Sequence, residues 1–211
     1  MRPTDAASAR ARPVVAAFDF DGTITHRDTL VPFLVRAFGR VRVGATFAVL
    51  APHLASFALG RTTVDALKVR VLRRLMAGEP VARLRELGET HADAVGRGWR
   101  VEAVNRIEWH RERGHRLVLV SSSLDLYLAA VARDLGFDDL LCSRLAVARG
   151  ADGVERFTGA LDGPDCTGAE KPRRLQALVG DLRAIELHAY GNSAGDRELL
   201  AAADHPHYRQ L

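Results

Sequence analysis

The chain has 211 residues, 47% hydrophobic and 27% charged, with a net charge of +4 and a calculated pI near 9.6. That length is one domain, or a domain with an insert, with enough residues for a sizeable core. The mild positive charge can help attract an anionic substrate but excludes a dedicated nucleic-acid surface, because no Lys/Arg block is interleaved with aromatics and only 6% of residues are aromatic.

Residues 1–12 are rich in Ala, Arg and Ser and read as a flexible tail. Residues 1–13 have no apolar signal-peptide core, so a cytoplasmic location is expected. The first strand is expected over Val14–Phe20, an apolar run that ends in Asp19-Phe20-Asp21-Gly22-Thr23. Two carboxylates and a glycine at a strand end, where open parallel sheets bind ligands, form a candidate reaction centre. Asp28-Thr29 can then cap a helix carrying Phe33, Leu34 and Phe38, punctuated by Gly39 and Gly44. Phe47–Leu59 is apolar. It reads as core of a small helical subdomain in preference to a surface for a lipid phosphate, so membrane association is not favoured. Thr62-Thr63 opens a helix with Val64, Leu67, Val71, Leu72 and Leu75 on one face. Lys68, Arg70, Arg73 and Arg74 lie on the other, expected to be solvated. Gly78-Glu79-Pro80 ends it, and further helices are expected over Val81–Gly96 and Trp99–Arg113.

Such a long helical stretch exceeds what one parallel crossover needs, which implies an inserted cap. Arg116–Val120 is the next buried strand, ending in Ser121-Ser122-Ser123 and followed by helix Leu124–Leu135. Leu140–Cys142 begins another strand. Arg149–Gly153 carries a hairpin signal between Leu145–Val147 and Val154–Phe157. After the loop Asp162–Ala169 a helix starts near Glu170. Ile185–Tyr190 is a strand running into Gly191–Asp196, Glu198–Ala203 is helical, and the last residues can add a short strand. Strands alternating with helices predict a doubly wound, Rossmann-like α/β parallel sheet. The core is expected over 13–28 and 99–211, and an α-helical cap over 29–98.

Three strands therefore end in polar loops. Asp19, Asp21, Asn192 and Asp196 are oxygen donors without His or Cys, which suits Mg²⁺. Lys171 and the serine loop can meet a phosphate. One carboxylate can attack phosphorus while another moves protons. His53, His91, His110 and His115 are scattered and read as structural or surface residues. Cys142 and Cys166 are not a metal-spaced cluster and read as packing residues of a reduced chain.

These residues resemble the haloacid dehalogenase superfamily of phosphatases, in particular its phosphoserine-phosphatase-like branch with a helical cap. The resemblance implies Asp19 as nucleophile and Asp21 as general acid/base. It implies Mg²⁺ on the Asp19 carboxylate, the Asp21 carbonyl, Asn192 and Asp196. Ser121, the Ser122 amide and Lys171 would bind phosphate, and Asp28, which also suits a helix cap, would face the substrate. The family's fourth motif usually begins Gly-Asp, whereas this chain has Gly191-Asn192, so weaker metal binding is expected. The implied function is Mg²⁺-dependent hydrolysis of a small phosphorylated metabolite, such as a phosphoserine-like compound, through an aspartyl-phosphate. The alternatives are a lipid-phosphate phosphatase of the phosphatidylglycerophosphate type and a weakly active phosphate-binding or regulatory relative.

Overall fold

The computed structural model describes residues 12–60 and 63–211, without the side chains of 55, 57 and 64. Most of the expected tail, and Thr62, lie outside the described residues. Five strands form one parallel sheet: β1 (Val14–Phe18), β2 (Arg116–Leu124), β3 (Asp139–Ser143), β6 (Glu186–Gly191) and β7 (His205–Tyr208). Their order is β3-β2-β1-β6-β7. The first strand stops at Phe18, before the end expected from its apolar run. Asp19 is held by its amide, which donates to the Tyr190 carbonyl at 2.9 Å, while the next residues turn away.

β1 is central, so both of its faces are buried and it reads as a continuous apolar run. Val15 and Ala17 pack with Val118, Val120, Leu187 and Leu175. Ala16 and Phe18 face the larger core shared with the helices that follow β1. Phe18 stacks on Tyr190 with ring centroids 4.3 Å apart.

Five helices separate β1 from β2: α1 (Leu30–Val49), α2 (Ala51–Ala58), α3 (Val64–Met76), α4 (Val81–Gly96) and α5 (Val101–Arg111). Of the two glycines expected to punctuate α1, only Gly39 kinks it, with φ 78° and ψ 155°. Gly44 continues the helix. The apolar stretch 43–59 divides between the end of α1 and α2. Val43 and Leu50 are buried in the core while Val49 and Leu59 are exposed. Thr63 caps α3 by accepting from the Ala66 amide at 3.2 Å.

Lys68 departs from the expected solvated face. Its ammonium lies 2.6 Å and 2.9 Å from the Asp165 carboxylate and also donates to the Ser122 carbonyl. Arg70, Arg73 and Arg74 are exposed. Lys68 therefore ties α3 to the serine loop. The α6 helix (Asp125–Asp134) follows β2, and β4 (Leu145–Arg149) and β5 (Glu155–Leu161) form an antiparallel hairpin outside the main sheet. The hairpin joins the turn after α3 through Gly78 N to Phe157 O and Phe157 N to Glu79 O, at 2.8 Å and 3.0 Å. Helices α7 (Glu170–Val179) and α8 (Arg197–Ala201) cover the face opposite the inserted helices. No helix among the described residues is long and apolar enough to cross a membrane.

His110 is fully buried and bonds the Tyr190 hydroxyl at 2.9 Å and His115 Nδ1 at 2.7 Å. Burial, reinforced by neighbouring His188 and His115, lowers its pKa from 6.5 to about 3. The folded value lies below the unfolded one, so this stability is present above pH 6.5 and is lost as pH falls toward 3. By pH 5 the loss from this group is about 2 kcal/mol. Urea unfolding at pH 7 and pH 5 checks it: His110→Gln should lose less stability than the wild type by about that amount. Equal losses would contradict the assignment.

Candidate active site

The C-terminal ends of β1, β2 and β6 open into a cleft of about 880 Å³ lined by Asp19, Asp21, Ser122, Lys171, Asn192 and, at its rim, Asp28. Each carboxylate is fixed by a different local device. Asp19 sits at the first residue beyond β1 and is 6% exposed. Lys171 Nζ donates to its Oδ1 at 2.7 Å, and the Thr23 hydroxyl donates to its Oδ2 at 3.2 Å. Gly22, with φ +77°, turns the loop back under Asn192. That φ favours glycine, and a Cβ there would stand 2.0 Å from Asn192 Nδ2 and displace the Asn192 side chain.

Asp21 faces the inserted helices. Its Oδ1 accepts from the Thr29 amide and hydroxyl, both at 2.7 Å, and its Oδ2 accepts from the Ser123 hydroxyl at 2.5 Å. The Tyr127 hydroxyl lies 3.1 Å behind Thr29 Oγ1. Thr29, read from sequence only as part of a helix cap, and Ser123 of the serine loop thus set the orientation of Asp21. Asp28 takes the capping role instead, accepting from the Val31 amide at 3.0 Å. Burial raises Asp21 to about 6 despite the two hydroxyl donors. A carboxyl that keeps its proton to about pH 6 can give it up near neutrality, as a general acid must.

Lys171 enters from the first turn of α7 and is 2% exposed. It reaches Asp19, Asp196 Oδ1 at 2.5 Å and the Val120 carbonyl at 3.0 Å. Burial disfavours its charge, but the two carboxylates outweigh that and hold its pKa above the ordinary lysine value. Burial pushes Asp19 upward, and Lys171 offsets this only in part.

Asp196 is fully buried. Its Oδ2 accepts from the Asn192 and Ser193 amides and the Ser193 hydroxyl at 3.1, 2.9 and 2.8 Å. With Lys171 on the other oxygen, Asp196 is occupied within the protein. These bonds orient Lys171 and the Asn192–Ser193 loop. Ser121 lies beside the Val120 carbonyl that holds Lys171. Its Oγ accepts from the Ser123 amide at 3.1 Å, which leaves its own proton to donate. Ser121 still pairs with Cys142, while Ser122 and Ser123 fall in the register shift of β2 against β3 before Leu124 and so lie out of the ladder.

Two observations fit these residues to a hard divalent cation. Asp19 and Asp196 share the one buried Lys171 ammonium, and Asp21 adds a further carboxylate to the cleft, which leaves the site short of positive charge. Asn192 Oδ1 is buried with no hydrogen-bond partner. The available donors are all oxygen, as Mg²⁺ prefers.

The sequence model of the haloacid dehalogenase-like hydrolases matches residues 16–201. Protein CicA of Caulobacter vibrioides is 37% identical over 200 residues, covering 93% of this chain and 86% of CicA. The inhibition of morphological differentiation protein of Streptomyces azureus is 30% identical over 202 residues, covering 91% of this chain and 70% of that protein. Among solved structures, a Bordetella pertussis Tohama I protein of unknown function superposes with a TM-score of 0.75 at 24% identity, covering 91% of this chain and 87% of that one. A phosphoserine phosphatase in its apo form superposes at 0.62 and 18% identity, covering 91% and 84%. These two structures share the fold. By its matched length and its ordered carboxylate, serine, lysine and acidic loops, this chain belongs to the haloacid dehalogenase-like hydrolase family.

Proposed function

We propose that this chain is a phosphatase that hydrolyses phosphate monoesters of small organic alcohols through an aspartyl-phosphate on Asp19. The observation that carries the reading is the buried Lys171 ammonium bridging Asp19 and Asp196, with the Asp21 carboxyl locked two residues further on. In the first step an Asp19 carboxylate oxygen attacks phosphorus and the bond from phosphorus to the alcohol oxygen breaks. Asp21 gives its proton to that leaving oxygen. In the second step Asp21 takes a proton from water as the water oxygen attacks phosphorus. The bond from phosphorus to Asp19 breaks, and the carboxylate is restored. Lys171, the Ser121 hydroxyl and the Ser122 amide hold the phosphoryl oxygens. Asp19, the Asp21 carbonyl and Asn192 would hold Mg²⁺, which when bound supplies charge neutralisation for the phosphate.

The test is phosphate release across a panel of phosphorylated metabolites with and without Mg²⁺. Release that needs Mg²⁺ supports the reading, and none with any substrate contradicts it. Asn192→Asp adds charge to the ligand set and should lower the Mg²⁺ concentration for half-activation by about tenfold. An unchanged value would remove Asn192 from that set.

A second reading concerns substrate length. A groove of about 1140 Å³ continues from the cleft through Asp65 and Thr167, walled by Ala66, Val69 and Pro164 and edged by Arg70 and Arg73. It favours a longer ester with an apolar body and a second anion, such as a lipid phosphate. Faster turnover of acylglycerol phosphates than of phosphoserine supports this version; the reverse supports the small metabolite.

A further inference from the structure

We propose that Glu186, His188 and His205 form a binding site for a borderline divalent transition metal, with Zn²⁺ as the representative, separate from the catalytic loops. The site lies on neighbouring strands of the sheet, where β6 and β7 run parallel and pair His188 directly with His205. In-register residues on adjacent strands stand side by side on one face, and Glu186 joins them two positions earlier on β6. The two imidazoles are stacked with centroids 4.3 Å apart. Glu186 Oε1 lies 2.9 Å from His205 Nε2 and 3.7 Å from His188 Nε2. One ligand atom from each residue falls within 4.8 Å of the other two. Bonds of about 2.0–2.1 Å in a tetrahedral site put donors roughly 3.3 Å apart, so small ring rotations suffice to close this set on one ion.

Two imidazole nitrogens with one carboxylate suit Zn²⁺, Ni²⁺ or Cu²⁺ and not the hard ion fitted to the catalytic cleft. Metal-binding histidines are oriented by a partner on their other nitrogen. His188 has such a partner, since its Nδ1 lies 3.4 Å from His207 Nε2, and His207 is itself held by Gln210 Oε1 at 2.9 Å. This leaves His188 Nε2 toward Glu186. The side chains of Glu186 and His205 are 38% and 45% exposed, which gives an ion access and room for a water as the fourth ligand. The site is about 13 Å along β6 from Asn192, too far to share an ion with the catalytic residues. A bound ion would clip β7 to β6. Just beyond β7, Arg209 donates from its amide to the Gly191 carbonyl at 2.9 Å and from Nε to the Asn192 carbonyl at 3.0 Å.

The experiment is calorimetric titration of Zn²⁺ into the chelator-dialysed, tag-free full chain, repeated on His205→Ala, Glu186→Gln and Asp19→Asn. The wild type should bind one Zn²⁺ away from the cleft. His205→Ala and Glu186→Gln should each weaken that binding by about tenfold or more, and Asp19→Asn should leave it unchanged. Cu²⁺ should quench Trp109, whose ring is 6.4 Å from that of His188, in the wild type but not in His205→Ala. His205→Ala should keep wild-type Mg²⁺-dependent phosphate release, which separates this site from the catalytic one. Absence of Zn²⁺ binding, or binding that both site variants leave intact, would overturn the proposal.

Discussion

Asp19→Asn should abolish phosphate release while leaving the protein folded and at least as stable as the wild type. The substitution keeps the side chain's shape at a 6%-exposed position and removes only its ability to attack phosphorus as an anion. A loss on the order of 10⁴-fold, about 5.4 kcal/mol of barrier, is expected for a nucleophile that no neighbour can replace. Asp196 is fully buried and outside the cleft lining, and Asp21 is turned toward the inserted helices by Thr29 and Ser123. Stability should move the other way. Burial raises the Asp19 pKa even with Lys171 in contact, which means that its charge is costly in the folded state. A neutral amide removes that cost. Lys171 retains Asp196 and the Val120 carbonyl as partners. Turnover and thermal melting of the same sample check both halves. Retention of more than about a tenth of wild-type turnover would contradict the nucleophile assignment.

Lys171→Met should lose both activity and stability, and the fall in melting temperature distinguishes it from Asp19→Asn. The lysine makes three hydrogen bonds while 2% exposed, two of them to carboxylates. Methionine fills similar space but leaves Asp19 and Asp196 facing each other as buried, unpaired acids. Breaking a buried ion pair from one side costs about 3–5 kcal/mol, or roughly 10 °C in a domain of this size. Activity should fall on the order of 10³-fold, because the phosphoryl group loses its fixed positive partner. Lys171→Arg should not rescue it, since a planar guanidinium cannot occupy the ammonium's place among three converging oxygens. Adding Asp196→Asn to Lys171→Met should recover part of the stability and none of the activity. Lys171→Met with wild-type melting would contradict the charge balance assigned to the site.

The parts of this site that could be read from the sequence are those whose chemistry is written within a few residues. An apolar strand that ends in Asp-x-Asp-Gly-Thr announces itself because β1 is buried on both faces and its polar end is abrupt. Likewise the alternation of strands with helices sufficed for the parallel sheet, and the long helical excess after β1 for the insert. What escaped depends on partners brought together by the fold. Thr29 and Ser123 converge on Asp21 although Ser123 is 102 residues away in sequence. Thr29 also occupies a position where helix capping is a sufficient explanation.

Lys68 has the same origin. Amphipathic spacing gives a polar face to α3 but says nothing of Asp165, which stands opposite across 97 residues. Asn192 and Asp196 also differ only in their partners, since Asn192 Oδ1 is buried without one while Asp196 accepts on both oxygens. Gly39 and Gly44 look alike in sequence, yet only the first adopts a positive φ. The pairing of His188 with His205 required the register of two strands joined by a loop and a helix.

The central claim is that phosphate passes through a covalent bond to Asp19, and the direct measurement is to trap that bond. The wild type is mixed with Mg²⁺ and a phosphate ester, quenched in acid during turnover, reduced with borohydride and mapped by peptide mass spectrometry. An acyl phosphate on aspartate is reduced to homoserine, so the account predicts homoserine at position 19 and at no other acid. Homoserine at Asp21 or Asp196, or active turnover that leaves every aspartate unmodified, would contradict it.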